Sequence, residues 1–193
     1  YGELIWAGIS PSGVQVVDRL ENEVITLDFN LNPIQNTSLE HNIFPELAQV
    51  DPWGRLFLLS STYNGIFIYE NNYIVKDPFI DFTKYFYSNY CVKDFAINGN
   101  GEISLLGCDG FFHQFSQNGM KEISIPIEIN NPEFLSSLRD DWLVLNRLGS
   151  CFSIKKSDYI NAPKIDSPII DVATLNKSIV FLTKDHILVL NVE

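Results

Sequence analysis

Five stretches of this chain align with one another as hairpins: residues 4–20 (LIWAGISPSGVQVVDRL), 46–61 (ELAQVDPWGRLFLLSS), 92–107 (VKDFAINGNGEISLLG), 133–148 (EFLSSLRDDWLVLNRL) and 170–184 (IDVATLNKSIVFLTK). With Val14, Arg55, Glu102, Trp142 and Ser178 as the starts of the second strands, the spacings are 41, 47, 40 and 36 residues. A repeat of this length that holds only strand-sized segments cannot bury its apolar face within one unit. It must stack successive small sheets against each other.

Each unit continues past its hairpin. Third alternating runs follow at 23–29, 65–70, 111–117, 151–156 and 186–192, and weaker fourth runs at 33–39, 73–79 and 122–127, with a stub near 162–165. Apolar and polar residues alternate in most of them, the period-two pattern of a pleated strand. The fading of the fourth run suits an outermost strand, where proline and irregularity are tolerated. Turn signals fall between the runs: Pro11-Ser12-Gly13, Pro52-Trp53-Gly54 and Asn98-Gly99-Asn100-Gly101 in first hairpins, and Asn64-Gly65, Asp109-Gly110 and Gly149-Ser150 in second hairpins. No apolar stripe of helical period extends beyond two turns, so helix should be nearly absent.

This plan of meandering four-stranded units resembles the β-propeller superfamily over essentially the whole chain. The resemblance is one of pattern: the tryptophan-aspartate and glycine-histidine pairs of WD repeats are missing, as is the kelch double glycine. It implies an all-β propeller of about five four-stranded antiparallel blades in a single domain, 1–193, with repeat units near 4–40, 46–80, 91–128, 133–166 and 169–193. The last unit ends after a third run. Three accounts of the seam are open, namely a five-bladed ring whose last blade is incomplete, a piece of a larger propeller, or a seam completed by strand addition from another chain. The first is favoured.

Of the 193 residues, 13 are lysine or arginine and 24 are acidic, a formal net charge of −11. Such a balance repels a phosphate backbone, and no basic run interrupts it, which argues against nucleic acid and anionic lipid as partners. The bland meaning is solubility; a cationic partner is the sharper one. Nothing approaches eighteen consecutive apolar residues, so membrane insertion by a helix is not expected. The chain begins at Tyr1 rather than Met, as after removal of a leader or trimming to a domain. Asn36-Thr37-Ser38 and Asn176-Lys177-Ser178 match the glycosylation pattern, though triplets of this kind arise readily by chance.

Cysteine offers the sharpest geometric inference. If the third hairpin turns about Gly99 and Asn100, partners sum to 199 and Cys91 faces Cys108. Two reduced neighbouring thiols are the simpler reading and a disulfide the alternative, with Cys151 left over and an odd count against an obligatory framework. His41, His113 and His186 fall in different repeats without metal-ligand spacing, so no metal is expected. Some five-bladed propellers are glycosidases that use paired carboxylates. The candidates for that chemistry are Asp18, Asp94, Asp171, Asp140 and Asp141, of which Asp94 and Asp171 hold similar places in their first strands. A repeated structural role explains them more simply. Nucleophile elbows, phosphate loops, dinucleotide fingerprints and calcium loops are absent from the sequence, and no cofactor is expected.

The connector DFTKYFYSNY (81–90) carries Phe82, Tyr85, Phe86, Tyr87 and Tyr90. Aromatic residues on a loop over a rigid scaffold suit protein binding or sugar stacking, although half of them could form a satellite core. Tyr85 and Tyr87 are the expected exposed pair, and Trp53 at a hairpin tip is the other binding candidate. The leading expectation is thus a non-enzymatic module that presents loop surfaces to a protein partner. A carbohydrate-binding propeller is the alternative, and a structural subunit or fragment of a larger assembly the third reading. The expected location is secreted or periplasmic, with cytoplasmic as the competing assignment.

Overall fold

The structure, a computed structural model, describes the chain except residues 1, 11–12, 40–41, 88, 161–164, 176 and 193, and the side chain of residue 10. Its packing divides into two units, Tyr1–Tyr90 and Cys91–Glu193. The first holds two sheets. One is β1 (Leu4–Ser10), β2 (Gly13–Asp18), β3 (Glu23–Leu27) and β4 (Pro33–Ser38), and the other is β5 (Leu47–Val50), β6 (Leu56–Ser60), β7 (Gly65–Glu70) and β8 (Tyr73–Ile74), with β9 (Ile80–Asp81) also pairing to β7.

The second unit holds three sheets. They are β10 (Val92–Ile97), β11 (Ile103–Gly107), β12 (Phe111–Phe115) and β13 (Lys121–Pro126); β14 (Phe134–Leu138), β15 (Asp141–Leu145), β16 (Cys151–Ser153) and β17 (Asp158–Ile160); and the three-stranded β18 (Ile169–Leu175), β19 (Ser178–Thr183) and β20 (Ile187–Asn191). Within each sheet, successive strands pair antiparallel in chain order, the meander of a propeller blade. Among the described residues helix is nearly absent.

Burial falls off across each blade. All five residues of β6 and of β11 are buried, whereas β4 and β13 are almost wholly exposed. A strand covered on both faces reads as a continuous apolar run, and one at the edge loses that pattern. The fourth strands are faint in the sequence for this reason. Between the first two sheets lies a core of Val17, Val24, Leu56, Leu58, Phe67 and Tyr69, and in the second unit Phe112, Leu135, Trp142 and Val144 fill one layer while Leu143, Leu145, Ile179 and Phe181 fill the next.

Five turns share one chemistry that the glycine pattern only half reveals. In each, the side-chain oxygen of the first residue accepts the backbone N–H groups of the third and fifth. Asp51 takes Trp53 and Arg55, Asn98 takes Asn100 and Glu102, and Asn146 takes Leu148 and Ser150. Asp28 takes Asn30 and Asn32, and Ser116 takes Asn118 and Met120. The fourth residue is left-handed. Gly54 has φ 86°, and its counterpart in the first blade, Leu31, holds φ 64° without being glycine. The side chain satisfies donors that the tight reversal would otherwise leave orphaned.

Two details depart from the sequence reading. The third hairpin turns one half-step later than expected, so that Ile97 faces Ile103 and Asp94 faces Leu106, partners that sum to 200. A bulge between Val92 and Asp94 then removes one residue and restores the sum of 199, and Cys108 donates its N–H to the Cys91 carbonyl. In the fourth blade the third strand stops at Ser153, and the fourth is Asp158–Ile160 rather than the stub near 162–165, which lies outside the described residues apart from Ile165. The cause is local. The Asp141 carboxylate accepts the Ser153 hydroxyl and the Lys155 N–H, and this turns the chain before the run can continue.

Replacing Asp51 by Ala leaves two turn N–H groups and the Arg55 guanidinium without their acceptor, and should lower stability by about 1–3 kcal/mol. Asp51→Asn, which keeps the accepting oxygen, should lose less. Urea unfolding midpoints of the two variants check this ordering.

Candidate functional site: an aromatic connector and a polar cleft

The connector is tied at its start. Ile80 and Asp81 pair with Ile66 and Gly65 of β7, and Asp81 caps the 3-10 turn Phe82–Lys84 by accepting the Thr83 N–H and hydroxyl. Phe82 is buried, and its ring meets Phe86 and Tyr90 edge-on at 5.8 and 6.4 Å, while Phe86 and Tyr90 stack at 3.9 Å. These three form a small core under the connector. Tyr85 is half-buried. Tyr87 is different: it is 96% exposed. Of the two tyrosines expected at the surface, the chain therefore presents Tyr87 fully and Tyr85 only in part, because Tyr85 directly follows the 3-10 turn and its N–H closes back on Phe82.

Immediately after Tyr90, Cys91 is joined to Cys108 by a disulfide with Cα atoms 5.4 Å apart. Both residues lie at the surface. Cys151, by contrast, is buried in β16, where burial and then the neighbouring Asp141 charge push its thiol up to about 12. It is inert toward electrophiles at neutral pH.

Trp53 lies in the first unit, at the rim of a cleft of about 250 Å³ whose other walls are Gln15, Arg55, Tyr69 and the β7–β8 hairpin Glu70–Asn72. Gly54, between Trp53 and Arg55, completes the lining. The cleft forms where the apolar layer ends. Gln15 stands two residues before Val17 on the same strand face, in the place the next apolar side chain would take. The Arg55 guanidinium lies 5.4 Å from the Trp53 ring centre and 5.3 Å from that of Phe57, and its Nε donates to the buried Asp51 carboxylate at 2.7 Å. The Tyr69 hydroxyl is bonded to Thr37. Gln15 Oε1 is buried and has no hydrogen-bond partner. Trp53 is legible in the sequence, whereas Gln15 is not, its only signal being a polar residue inside the apolar run VQVV.

Of the carboxylates considered for catalysis, four accept backbone N–H groups and Asp140 forms an ion pair. Asp18 accepts N–H groups from Gly2, Glu3 and Glu21; Asp140 pairs with Lys155, and Asp141 holds the turn already described. Asp94 accepts Phe95 N–H at 2.8 Å and, across to the next sheet, Leu135 N–H at 2.7 Å. Asp171 accepts Val172 N–H at the matching place beyond its own bulge. Burial pushes the Asp94 carboxyl up to about 7, against the pull of its two N–H donors and with help from the Asp171 charge. Among the described residues no three histidine, cysteine or acidic side chains gather to hold a metal, and no helix is long and apolar enough to cross a membrane. His113 is buried with its Nδ1 2.9 Å from Ser124 Oγ, and His186 is exposed. His41 and Asn176 lie outside the described residues, and Asn36 is exposed on the edge strand β4.

No family model matches this sequence, and no curated protein matches it. Solved structures do. Virginiamycin B lyase from Staphylococcus aureus superposes with a TM-score of 0.62 at 12% identity, over 97% of this chain and 69% of the lyase. BBS1N, solved in complex with ARL6DN, gives 0.68 at 8% identity over 97% of this chain and 65% of its own, and the WD40 β-propeller domain of Doa1 gives 0.64 at 13% over 95% and 61%. Likeness at this identity establishes the fold, a β-propeller, and the fold alone; the five blades are the five sheets of this chain.

Burial, and then the Lys121 charge, hold the His113 imidazole down to about 4, whereas an unfolded histidine titrates near 6.5. Between those values the unfolded chain binds a proton the native one does not, so this group costs stability as pH falls. Asp94 has the opposite sign: its native carboxyl keeps a proton up to about 7 that the unfolded chain has lost above about 4, so its contribution is full at low pH and disappears as pH rises. The two offset each other between pH 4 and 6.5. Asp94→Asn should therefore steepen the loss of stability on acidification, and His113→Asn should make stability rise there, as read from urea midpoints against pH.

Proposed function

We propose that this protein is a non-enzymatic binding module that presents its connector to a protein partner. The observation that carries the reading is Tyr87, a tyrosine 96% exposed at the surface of a loop whose neighbouring rings are packed beneath it. A tyrosine has only two side-chain torsions to fix on docking and supplies the kind of large amphipathic anchor that dominates protein interfaces. Propellers bound to other proteins, such as BBS1N with ARL6DN, support the class of function without naming a partner. The reading also fits the structural bonds of the candidate carboxylates, four of them to backbone N–H groups and Asp140 to Lys155.

Immobilised protein should retain discrete partners from an extract, and Tyr87→Ala should abolish their retention while leaving the unfolding midpoint within about 0.5 kcal/mol of the parent, as for an exposed residue. Equal retention by the variant would refute the assignment.

A secreted or periplasmic location accompanies this reading, because an exposed disulfide persists in an oxidising compartment. Protein recovered from its native source should gain two mass units on reduction. Removing the bridge with Cys91→Ser and Cys108→Ser together should cost about 3 kcal/mol for a loop of this length. A native protein isolated with free thiols would overturn the location.

A further inference from the structure

The sheet β18–β20 is apolar on both faces and covered on one. Strand alternation sorts its side chains. Ile179, Phe181, Leu188 and Leu190 turn toward the preceding sheet and join the core there with Leu143 and Leu145. Ala173, Leu175, Val180, Leu182, Ile187 and Val189 turn the other way, as the cross-strand pairs Ala173 with Val180, Val180 with Val189 and Leu182 with Ile187 require. That second face is open. Leu175 is 65% exposed, Ile187 68% and Val189 60%, and Leu182 on the central strand is still 41% exposed. The third strands of the other sheets, β3, β7, β12 and β16, bury most of their residues, whereas β20 buries none.

A contiguous apolar face rimmed by polar groups marks an interaction surface. The rim is satisfied within the sheet, since Ser178 Oγ donates to Asn191 Oδ1 and Asp171 accepts the Val172 N–H. Among the described residues of the three strands, Asp171 is the only ionisable side chain on this face. Such a surface offers little to a charged or hydrogen-bonding ligand. It fits the apolar face of another β-sheet, packed about 10 Å away.

A second copy of this chain brings a face of that kind, open for the same reason, so a single contact covers both. Together the six apolar residues of the two copies remove on the order of 1,000 Å² from water, the size at which specific interfaces begin. We infer that this protein self-associates as a two-fold dimer in which the open faces of the two β18–β20 sheets pack on one another. The contact is isologous and closes at two copies. Each copy carries a formal charge of −11, so the copies repel at low ionic strength and the apolar contact gains as salt screens that repulsion.

Sedimentation equilibrium of the full chain tests the inference. The mass should rise with concentration to twice that of one chain, and association should tighten at high salt. Val189→Lys puts a charge on the face of both copies and should weaken the dimer about tenfold or more. Val189→Thr, which keeps the shape and the strand preference, should weaken it less, and neither should move the unfolding midpoint of the dilute chain. Tyr87→Ala, on the connector, should leave self-association unaltered, which separates this face from the surface proposed for the protein partner. A monomer at every concentration and salt, as when a different protein supplies the covering sheet, would overturn the inference. So would species that grow beyond the dimer, association that salt weakens, or a dimer indifferent to Val189→Lys.

Discussion

The structure depends on one constraint: the central strands are apolar on both faces. A four-stranded meander of this size exposes too much of that surface to stand alone, and marginal stability follows for any isolated small sheet. Within each unit the sheets therefore bury apolar faces on one another. In the first unit that burial joins Val17 and Val24 to Leu56 and Leu58; in the second it joins Phe112 to Trp142, then Leu143 to Phe181. The requirement sets the repeat length, because a unit needs enough strands to fill a face and no more.

Stacked sheets leave their hairpins to be stabilised locally, and the five turns built on Asp28, Asp51, Asn98, Ser116 and Asn146 do so with a single side-chain oxygen each. That arrangement frees the second and third turn positions to vary. Function can enter there without disturbing the scaffold. Trp53 occupies the third position of its turn, while the Asp51 carboxylate that closes the turn also holds Arg55 against the ring.

The two candidate surfaces differ in physical kind. The connector offers an aromatic side chain above a packed base, which is suited to a large partner that brings its own apolar pocket. The cleft offers a small concave space lined by mixed hydrogen-bonding groups. The repeated carboxylate geometry at Asp94 and Asp171 belongs to neither. Each accepts the N–H that follows its strand bulge, and Asp94 extends that bond to Leu135 of the adjoining sheet.

The amino-acid sequence alone determined the class of fold, the number of blades and the approximate limits of their inner strands, because period-two apolar patterning and glycine turns are local properties repeated five times. It also brought Cys91 and Cys108 together, although through a half-step error in the turn that the bulge before Asp94 cancelled. Edge strands were poorly legible, since a strand with one neighbour need not be apolar, and the β17 boundary turned on Asp141, a residue 14 positions from the Lys155 N–H it accepts. Only the tertiary structure decided which of Tyr85 and Tyr87 reaches solvent, whether the cysteines lie within bonding distance, and that Gln15, Trp53 and Glu70 share one cleft. Those outcomes depend on contacts between segments distant in the chain, and residue order does not encode such distances until the sheets have packed.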